Sequence, residues 1–461
     1  MPSIGACIRR RMRTPPKKYQ IQGVRFLHSK RGRALIGDDM GVGKTYQAIA
    51  WLKIRPKIRP VVIVCPASAK PVWESQFKQH AGIKVFTAEG RTPSRIKRNI
   101  IILNYDILQY WTDVLLDASP KAIILDECHR AKNMQAKRTK ACMTLARHCK
   151  YVVCLSGTPI NNNPIEFFPT LNMIAPEEFP SFWKFAFRYT RPTRGFRGIG
   201  WEFKMPRNLH ELHNRVSAFM IRRMKEDVLP ELPARVTTTI PVTITNRKEY
   251  MQVKENFIAW LRKTRGKAAA KRALFMQAHV KLSHLIRVVA EGKMDHITAW
   301  IDDWLEDTQQ KLVVFGVHKA VMQTLYAKYR NISASITGET PRKLRKREVR
   351  RFQNNDKCRL FFGNIAAAGE SITLTAASSV LFAELTWSPT QIQQAADRVR
   401  RLGQQASSVN VFYMIGKDTI EETVVKTLER KMKVVNTVLN GEHEANKSLV
   451  NSVLKELTRK V

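Results

Sequence analysis

Residues 33–45 read RALIGDDMGVGKT. A short apolar run, Ala34-Leu35-Ile36, gives way to a glycine-bearing turn that ends in Gly43-Lys44-Thr45. The residues that follow, TYQAIAWLK, have the spacing of an amphipathic helix. A strand that hands a glycine-rich turn to a helix points backbone N–H groups at a common centre, which is the arrangement that wraps a phosphate. Gly41 and Gly43 let the chain curl, Lys44 reaches terminal phosphate oxygens, and Thr45 offers a hydroxyl to Mg²⁺. The strict form of this loop has glycine at position 38, where this chain has Asp38.

Outward from this turn the pattern repeats. VVIVCPAS, NIIILNYD, KAIILDECH and YVVCLSGT are β-rich apolar runs, each followed at once by polar or small residues. The second half does the same with KLVVFGVH, NISASITGE, CRLFFGNIA, SSVLFAEL and VNVFYMIG. Unbroken apolar strands alternating with helical stretches predict parallel sheets covered on both faces, with ligands at the C-terminal strand ends. The expected fold is therefore α/β, with two tandem parallel-sheet lobes. At roughly 100–200 residues per domain, 461 residues accommodate them. The first lobe is placed at residues 1–236 with a helical insertion at about 164–220. The second is placed at 237–461 with a helical insertion at about 246–295 and a docking helix at about 419–439. VLPELPARVTTTIP reads as the crossing between them. The aromatic stretch FPSFWKFAFRY reads as the core of the first insertion rather than a base-stacking platform.

Charge narrows the partner. Lys and Arg number 79 against 38 Asp and Glu, a net charge of +41. A chain this basic repels itself and calls for a polyanion, nucleic acid first and an acidic membrane surface second. No apolar run approaches the 18 or so residues that span a bilayer, and the first residues lack the apolar segment of a secretory signal. Seven scattered cysteines without a C-x-x-C pair or zinc-type histidine spacing read as reduced thiols of an intracellular protein, in nucleus or cytoplasm.

Two further constellations carry chemistry. KAIILDECH puts Asp126 at a strand tip, suited to holding Mg²⁺ through water, and Glu127 beside it to polarise an attacking water. In QQAADRVRRLGQ, Arg398 and Arg401 are three apart, so they are expected on one helix face, where they can supply an arginine finger.

Together and in order, these segments resemble the superfamily 2 helicases, and specifically the Swi/Snf family of DNA translocases. PPKKYQIQGVRFL resembles the family's Q motif, GDDMGVGKT motif I, VCPASAKPVW motif Ia, LNYD motif Ib, DECH motif II and SGTPINN motif III. MIRRMKEDVLPELP resembles its signature at the lobe junction. VVFGVH, GETPRKLRKREVRRFQ and NIAAAGESITLTAASSVLFAELTWSP resemble motifs IV, IVa and V, and QAADRVRRLGQ motif VI. The match runs from about residue 15 to 435, and its texture is similar to the HARP-like annealing-helicase branch.

The resemblance implies two RecA-like lobes that consume ATP with Mg²⁺ as cofactor. It assigns nucleotide contacts to Gln20 (adenine), Asp38, Gly41, Val42, Gly43, Lys44, Thr45, Gly369 and Gln394, with Arg398 and Arg401 stabilising the transferring phosphoryl. It assigns sequence-independent contacts with double-stranded DNA to Ser68, Lys70, Asn104 and Tyr105 in the first lobe. In the second lobe these are Gly338, Thr340, Arg345, Ser371, Thr373 and Trp387. Motif I has Asp39 where the family usually has Glu, motif V has Glu370-Ser371 where a second glycine is common, and His318 replaces a small polar residue in motif IV. The expected activity is ATP-driven movement along duplex DNA. The alternatives are a strand-separating helicase on DNA or RNA and a non-catalytic basic DNA-binding scaffold.

Overall fold

The computed structural model describes residues 3–194, 201–264, 271–368, 372–401 and 403–441. The chain divides into two compact units. The first comprises residues 1–193, 202–230 and 434–444, and the second residues 194–201, 231–433 and 445–461.

The first unit is built on a seven-stranded sheet. Its strands are β1 (Arg33–Ile36), β2 (Val61–Cys65), β3 (Phe86–Thr87), β4 (Ile100–Asn104), β5 (Ala122–Asp126) and β6 (Tyr151–Leu155), with β7 (Arg191–Arg194) and β8 (Trp201–Lys204) forming a separate ribbon, and β9 (Met220–Ile221) at the sheet edge. The spatial order is β3-β4-β2-β5-β6-β1-β9, and every pairing is parallel. Strand periodicity explains why these runs are apolar at every position. Val62, Val64, Ile101, Leu103, Ile123 and Leu125 face one core, whereas Val61, Ile63, Ile100, Ile102, Ala122 and Ile124 face another on the opposite side. Helices close both cores. Trp51 on the helix Lys44–Ile54 is fully buried in one, and Trp111 on the helix Leu108–Asp117 in the other.

The second unit repeats the scheme with six parallel strands, β10 (Ala234–Val242), β11 (Lys311–Gly316), β12 (Ser333–Ile336), β13 (Leu360–Asn364), β14 (Ala377–Phe382) and β15 (Ser408–Gly416), ordered β10-β15-β14-β11-β13-β12. Val313, Phe315, Phe361 and Phe382 pack on one face, and Leu312, Val314, Phe362 and Leu381 on the other. β10 corrects the reading of residues 228–241 as a plain crossing. Its nine residues pair with β15 along their whole length, and Pro241 is tolerated because β10 is an edge strand that needs no outward N–H.

Helices fill the segments between strands. Phe168–Ile174, Phe182–Tyr189 and Leu209–Ser217 lie in the first unit, and Arg247–Thr264, Lys271–Gly292 and Met294–Asp307 in the second. In FPSFWKFAFRY, Phe185 and Tyr189 are buried while Trp183 and Phe187 are exposed, so only one side of that helix is core. The helix Ile420–Asn440 buries Val424, Val425 and Leu428 in the second unit, and its last turns bury Val435, Val438 and Leu439 in the first. All seven cysteines are free thiols. Among the described residues, no helix is long and apolar enough to cross a membrane.

Candidate functional site

The C-terminal ends of β1, β5 and β6 carry the nucleotide-type motifs of the first unit. After β1 the chain turns through Gly41 and Gly43, both in the left-handed region (φ 83° and 85°), and enters the helix Lys44–Ile54. Gly43 is the N-cap and provides no side-chain cap, so the first N–H groups of that helix are left for a ligand. Val42 is buried and can contribute only its backbone. Lys44 Nζ donates to the carbonyls of Asp38 (2.9 Å) and Asp39 (3.0 Å). Thr45 sits in the first helical turn beside it. Gln20 reaches the same turn: its Nε2 lies 2.6 Å from where a Cβ on Gly43 would be, while its Oε1 accepts from Lys17 N (2.9 Å).

Asp38 departs from the expected loop spacing for a structural reason. Its carboxylate is fully enclosed and is held by the Arg223 guanidinium (Nε to Oδ1, 2.9 Å, with Nη2 on Oδ2) and by Gln47 Nε2 (2.9 Å). Next to it, Arg222 Nη1 donates to the carbonyls of Gly37 (2.7 Å) and Gly157 (2.8 Å), tying the end of β1 to the end of β6. Neither arginine was assigned a role from sequence. The available signal was Asp38 itself, because an acid inside an apolar strand–turn requires a buried cation.

Asp126 ends β5 and Glu127 follows with φ 52°, a left-handed conformation for a non-glycine residue. Trp73 Nε1 donates to Asp126 Oδ2 (2.8 Å), and Tyr105 OH donates to the Asp126 carbonyl (2.8 Å). Burial and then repulsion from Glu127 push the Asp126 carboxyl up to about 7, against the Trp73 hydrogen bond and Lys44. Glu127 Oε2 is buried without a hydrogen-bond donor, with His129 Nδ1 3.4 Å away. Two adjoining acids, one raised and one with an orphaned oxygen, are the charge pattern that a divalent cation relieves, so the residues fit Mg²⁺. His129 Nδ1 also meets Ser156 Oγ at 2.9 Å, and Thr158 N donates to Ser156 Oγ (3.2 Å), which links this acid pair to the turn after β6. A Cβ on Gly157 would lie 3.4 Å from Lys44 Nζ. Lys44, Asp126, Glu127 and the Ser156–Thr158 turn thus converge.

The first-unit residues assigned to DNA are at the C-terminal ends of β2 and β4. Ser68 is half-buried and Asn104 is buried, its Nδ2 donating to Asp106 Oδ2 (3.3 Å). Lys70 is buried, donating to Ala88 O (2.9 Å) and pairing with Glu89 (2.8 Å), and the Tyr105 ring is buried beneath Asp126. The side chains of Lys70 and Tyr105 thus stay inside the unit.

In the second unit, Gly338 is exposed and Thr340 Oγ1 accepts from Thr337 N (2.9 Å). Arg345 staples that loop through Thr340 O (2.8 Å), Thr337 O (3.2 Å) and Gly338 O (3.2 Å). Trp387 packs partly buried on the core, and its carbonyl accepts from Lys431 Nζ (2.7 Å). Gly369 and Ser371 lie outside the described residues. Gln394 is on the helix Pro389–Ala396, but Arg398 and Arg401 are not, which corrects the expectation of a shared helix face. The helix stops because Asp397 caps it and the Arg398 carbonyl is taken by Leu374 N (2.9 Å) instead of a following turn. Arg401 Nη1 donates to Thr373 Oγ1 (3.3 Å) and Nε to Asp397 O (3.2 Å), and burial lowers its pKa.

Comparison with known proteins matches residues 19–289 to the SNF2-related domain and residues 292–403 to the helicase conserved C-terminal domain. The chain is 30% identical over 454 residues to the mouse protein named DNA annealing helicase and endonuclease ZRANB3, covering 94% of this chain and 42% of that one. It is 33% identical over 443 residues to the Xenopus laevis SWI/SNF-related matrix-associated actin-dependent regulator of chromatin subfamily A-like protein 1, covering 93% and 44%. The chain therefore spans less than half the length of these relatives. The solved Sulfolobus solfataricus SWI2/SNF2 ATPase core in complex with dsDNA aligns over 97% of both chains at 23% identity and a TM-score of 0.44.

Proposed function

Because this chain belongs to the SNF2-related domain family, we propose that it is a DNA-dependent ATPase that couples ATP hydrolysis to movement along double-stranded DNA. The observation that carries the reading is the convergence, at the ends of three adjacent strands, of the uncapped glycine turn, Lys44, and the Asp126–Glu127 pair. The turn amides and Lys44 bind the phosphates of ATP, Gln20 orients the adenine, and Glu127 holds the attacking water. Arg398 and Arg401, carried by the second unit, stabilise the charge that develops on the transferring phosphoryl.

Thr45 and, through water, Asp126 are the residues that would hold Mg²⁺, which when bound neutralises phosphate charge. Asp38 acts through its enclosed ion pair, fixing the turn rather than touching the nucleotide. Ser68, Asn104, Gly338, Thr340, Arg345 and Thr373 grip the DNA backbone, with Lys70 and Tyr105 positioning that surface from inside. Contacts of this kind are indifferent to base sequence.

The test is ATP turnover with and without duplex DNA, followed by displacement of a triplex-forming strand and of one strand of a forked duplex. Duplex-stimulated turnover with triplex displacement and an intact fork is expected. Efficient fork unwinding, or stimulation by RNA alone, would transfer the assignment to a strand-separating helicase. No turnover at all would leave a binding scaffold.

A further inference from the structure

Two buried aromatic donors end on one residue of the first unit. Trp73 Nε1 donates to the Asp126 carboxylate (Oδ2, 2.8 Å), and Tyr105 OH donates to the Asp126 carbonyl (2.8 Å). Both side chains are buried, and both belong to segments assigned to the DNA backbone. Trp73 lies on the helix Lys70–Gln76, three residues after Lys70 and so on the same side of that helix. The turn Ala67–Ala69, which contains Ser68, leads directly into it. Tyr105 follows Asn104, the last residue of β4.

The two donors approach from opposite sides of the sheet. Trp73 packs in the core on one face with Ile63 and Phe77, and Tyr105 packs in the core on the other with Val64 and Leu125. β2 lies between β4 and β5, so Tyr105 reaches past a whole strand to meet the end of β5. Asp126 is thus gripped from both faces, its side chain by one segment and its backbone by the other. No other side chain donates to its carboxylate among the described residues.

A buried indole ordinarily takes whatever acceptor is within reach. Trp111 Nε1 donates to the Gly90 carbonyl (3.1 Å), and Trp51 Nε1 is buried without an acceptor among the described residues. Packing in this fold therefore does not require an indole to seek a carboxylate. A carboxylate that holds a metal ion does require an outer partner, because free rotation would misplace its ligand oxygen. Trp73 is that partner for Asp126.

We infer that Trp73 and Tyr105 are positioning residues for ATP hydrolysis, joining the Ser68–Lys70 and Asn104–Tyr105 segments to Asp126 so that bound duplex sets the orientation of this acid. The inference rests on the proposed ATPase reading and deepens it, since it assigns the DNA dependence of turnover within the first unit to two named hydrogen bonds. Lys70 and Trp73 share one side of a helix about two turns long, so a phosphate row that shifts the turn at Ser68 carries Trp73 with it. Tyr105 holds the backbone while Trp73 holds the side chain. A relative shift of the two segments therefore rotates the carboxylate about its own main chain.

The test reads linkage as well as turnover. Binding of the non-hydrolysable imido analogue of ATP to the full chain is measured against Mg²⁺ concentration, with and without a short duplex. In the wild type the duplex should lower the Mg²⁺ concentration at half-saturation by about fivefold or more. By reciprocity, saturating Mg²⁺ in the presence of the analogue should tighten duplex binding by the same factor. Trp73→Phe deletes the N–H and keeps an aromatic ring, and Tyr105→Phe deletes a single oxygen. In each variant the shift should fall below about twofold, and duplex stimulation of kcat should fall about tenfold or more. Trp111→Phe removes a fully buried indole N–H from the same unit and should keep both quantities at the wild-type level. Should Trp73→Phe lose its thermal unfolding transition, Tyr105→Phe decides alone.

A wild-type shift in either variant, an equal loss in Trp111→Phe, or weakened duplex binding with the Mg²⁺ shift intact would overturn the inference. So would a wild-type chain whose Mg²⁺ requirement ignores the duplex while its turnover is duplex-stimulated. Absence of duplex-stimulated turnover in the wild type would instead remove the ATPase reading and the inference with it, and the two failures are read from separate signals.

Discussion

Asp38 and Arg223 illustrate how one enclosed charge fixes the residues around it. Asp38 is fully buried, and the Arg223 side chain that meets it is only 12% exposed. Removing one partner of a buried pair strands the other, so Arg223→Ala should destabilise the first unit by about 3–5 kcal/mol, whereas Asp38→Asn/Arg223→Met should recover part of the loss. Urea titration of the three proteins checks this. The acid pair gives a different expectation, because in the proposed mechanism Glu127 holds the attacking water and not the fold. Glu127→Gln should still bind ATP but turn it over at least about 10²-fold more slowly, and Lys44→Ala should lose productive ATP use altogether, both measured by nucleotide binding alongside single-turnover hydrolysis. Wild-type turnover in Glu127→Gln would remove the assignment of the attacking water to this residue.

Between residues and the whole chain stand the elements, where the sequence was read most successfully. The ten apolar runs are strands, and in central ones such as β2 residues like Val62 and Ile63 are buried on opposite faces of one sheet, which leaves no polar position to blur the signal. β10 escaped detection because ARVTTTIPV is an edge strand, half-exposed, with Thr at three consecutive positions and a proline near its end. The motif residues Lys44 and Asp126 were legible because strand tips announce themselves. Arg222, Arg223 and Trp73 were not, since their partners Asp38, Gly157 and Asp126 are distant in sequence and only the fold makes them neighbours. Arg398 and Arg401 lie in a turn and not on a helix; three-residue spacing is shared by helices and by tight turns that follow them. Arg401→Ala should leave DNA affinity nearly unchanged while lowering kcat by about 10³-fold or more. Loss of DNA binding with unchanged turnover per complex would make Arg401 a backbone contact instead. The helix Ile420–Asn440 offers a stability test. Leu439→Ala should cost about 2–5 kcal/mol, whereas Thr423→Ala on the exposed face of the same helix should stay within about 0.5 kcal/mol.

At the scale of the whole molecule the net charge of +41 governs encounter with the partner. Backbone-only recognition involving roughly 6–10 phosphates should lose about 10³–10⁵ in duplex affinity between 50 and 200 mM salt, with little dependence on base sequence. Binding isotherms on unrelated duplexes at several salt concentrations measure both quantities, and a flat salt response would contradict the reading. The first unit is also discontinuous: residues 434–444 belong to it, yet they follow residues 231–433 of the second unit in the chain. During synthesis Pro230 therefore leaves the ribosome roughly 200 residues ahead of Val438 and Leu439, an interval of about 10–40 s at 5–20 residues per second. For that time the nascent first lobe holds open the apolar seat that these two side chains later fill. Ribosomes stalled within the second lobe should accordingly carry a first lobe that is folded but more readily cut by protease than in the released protein.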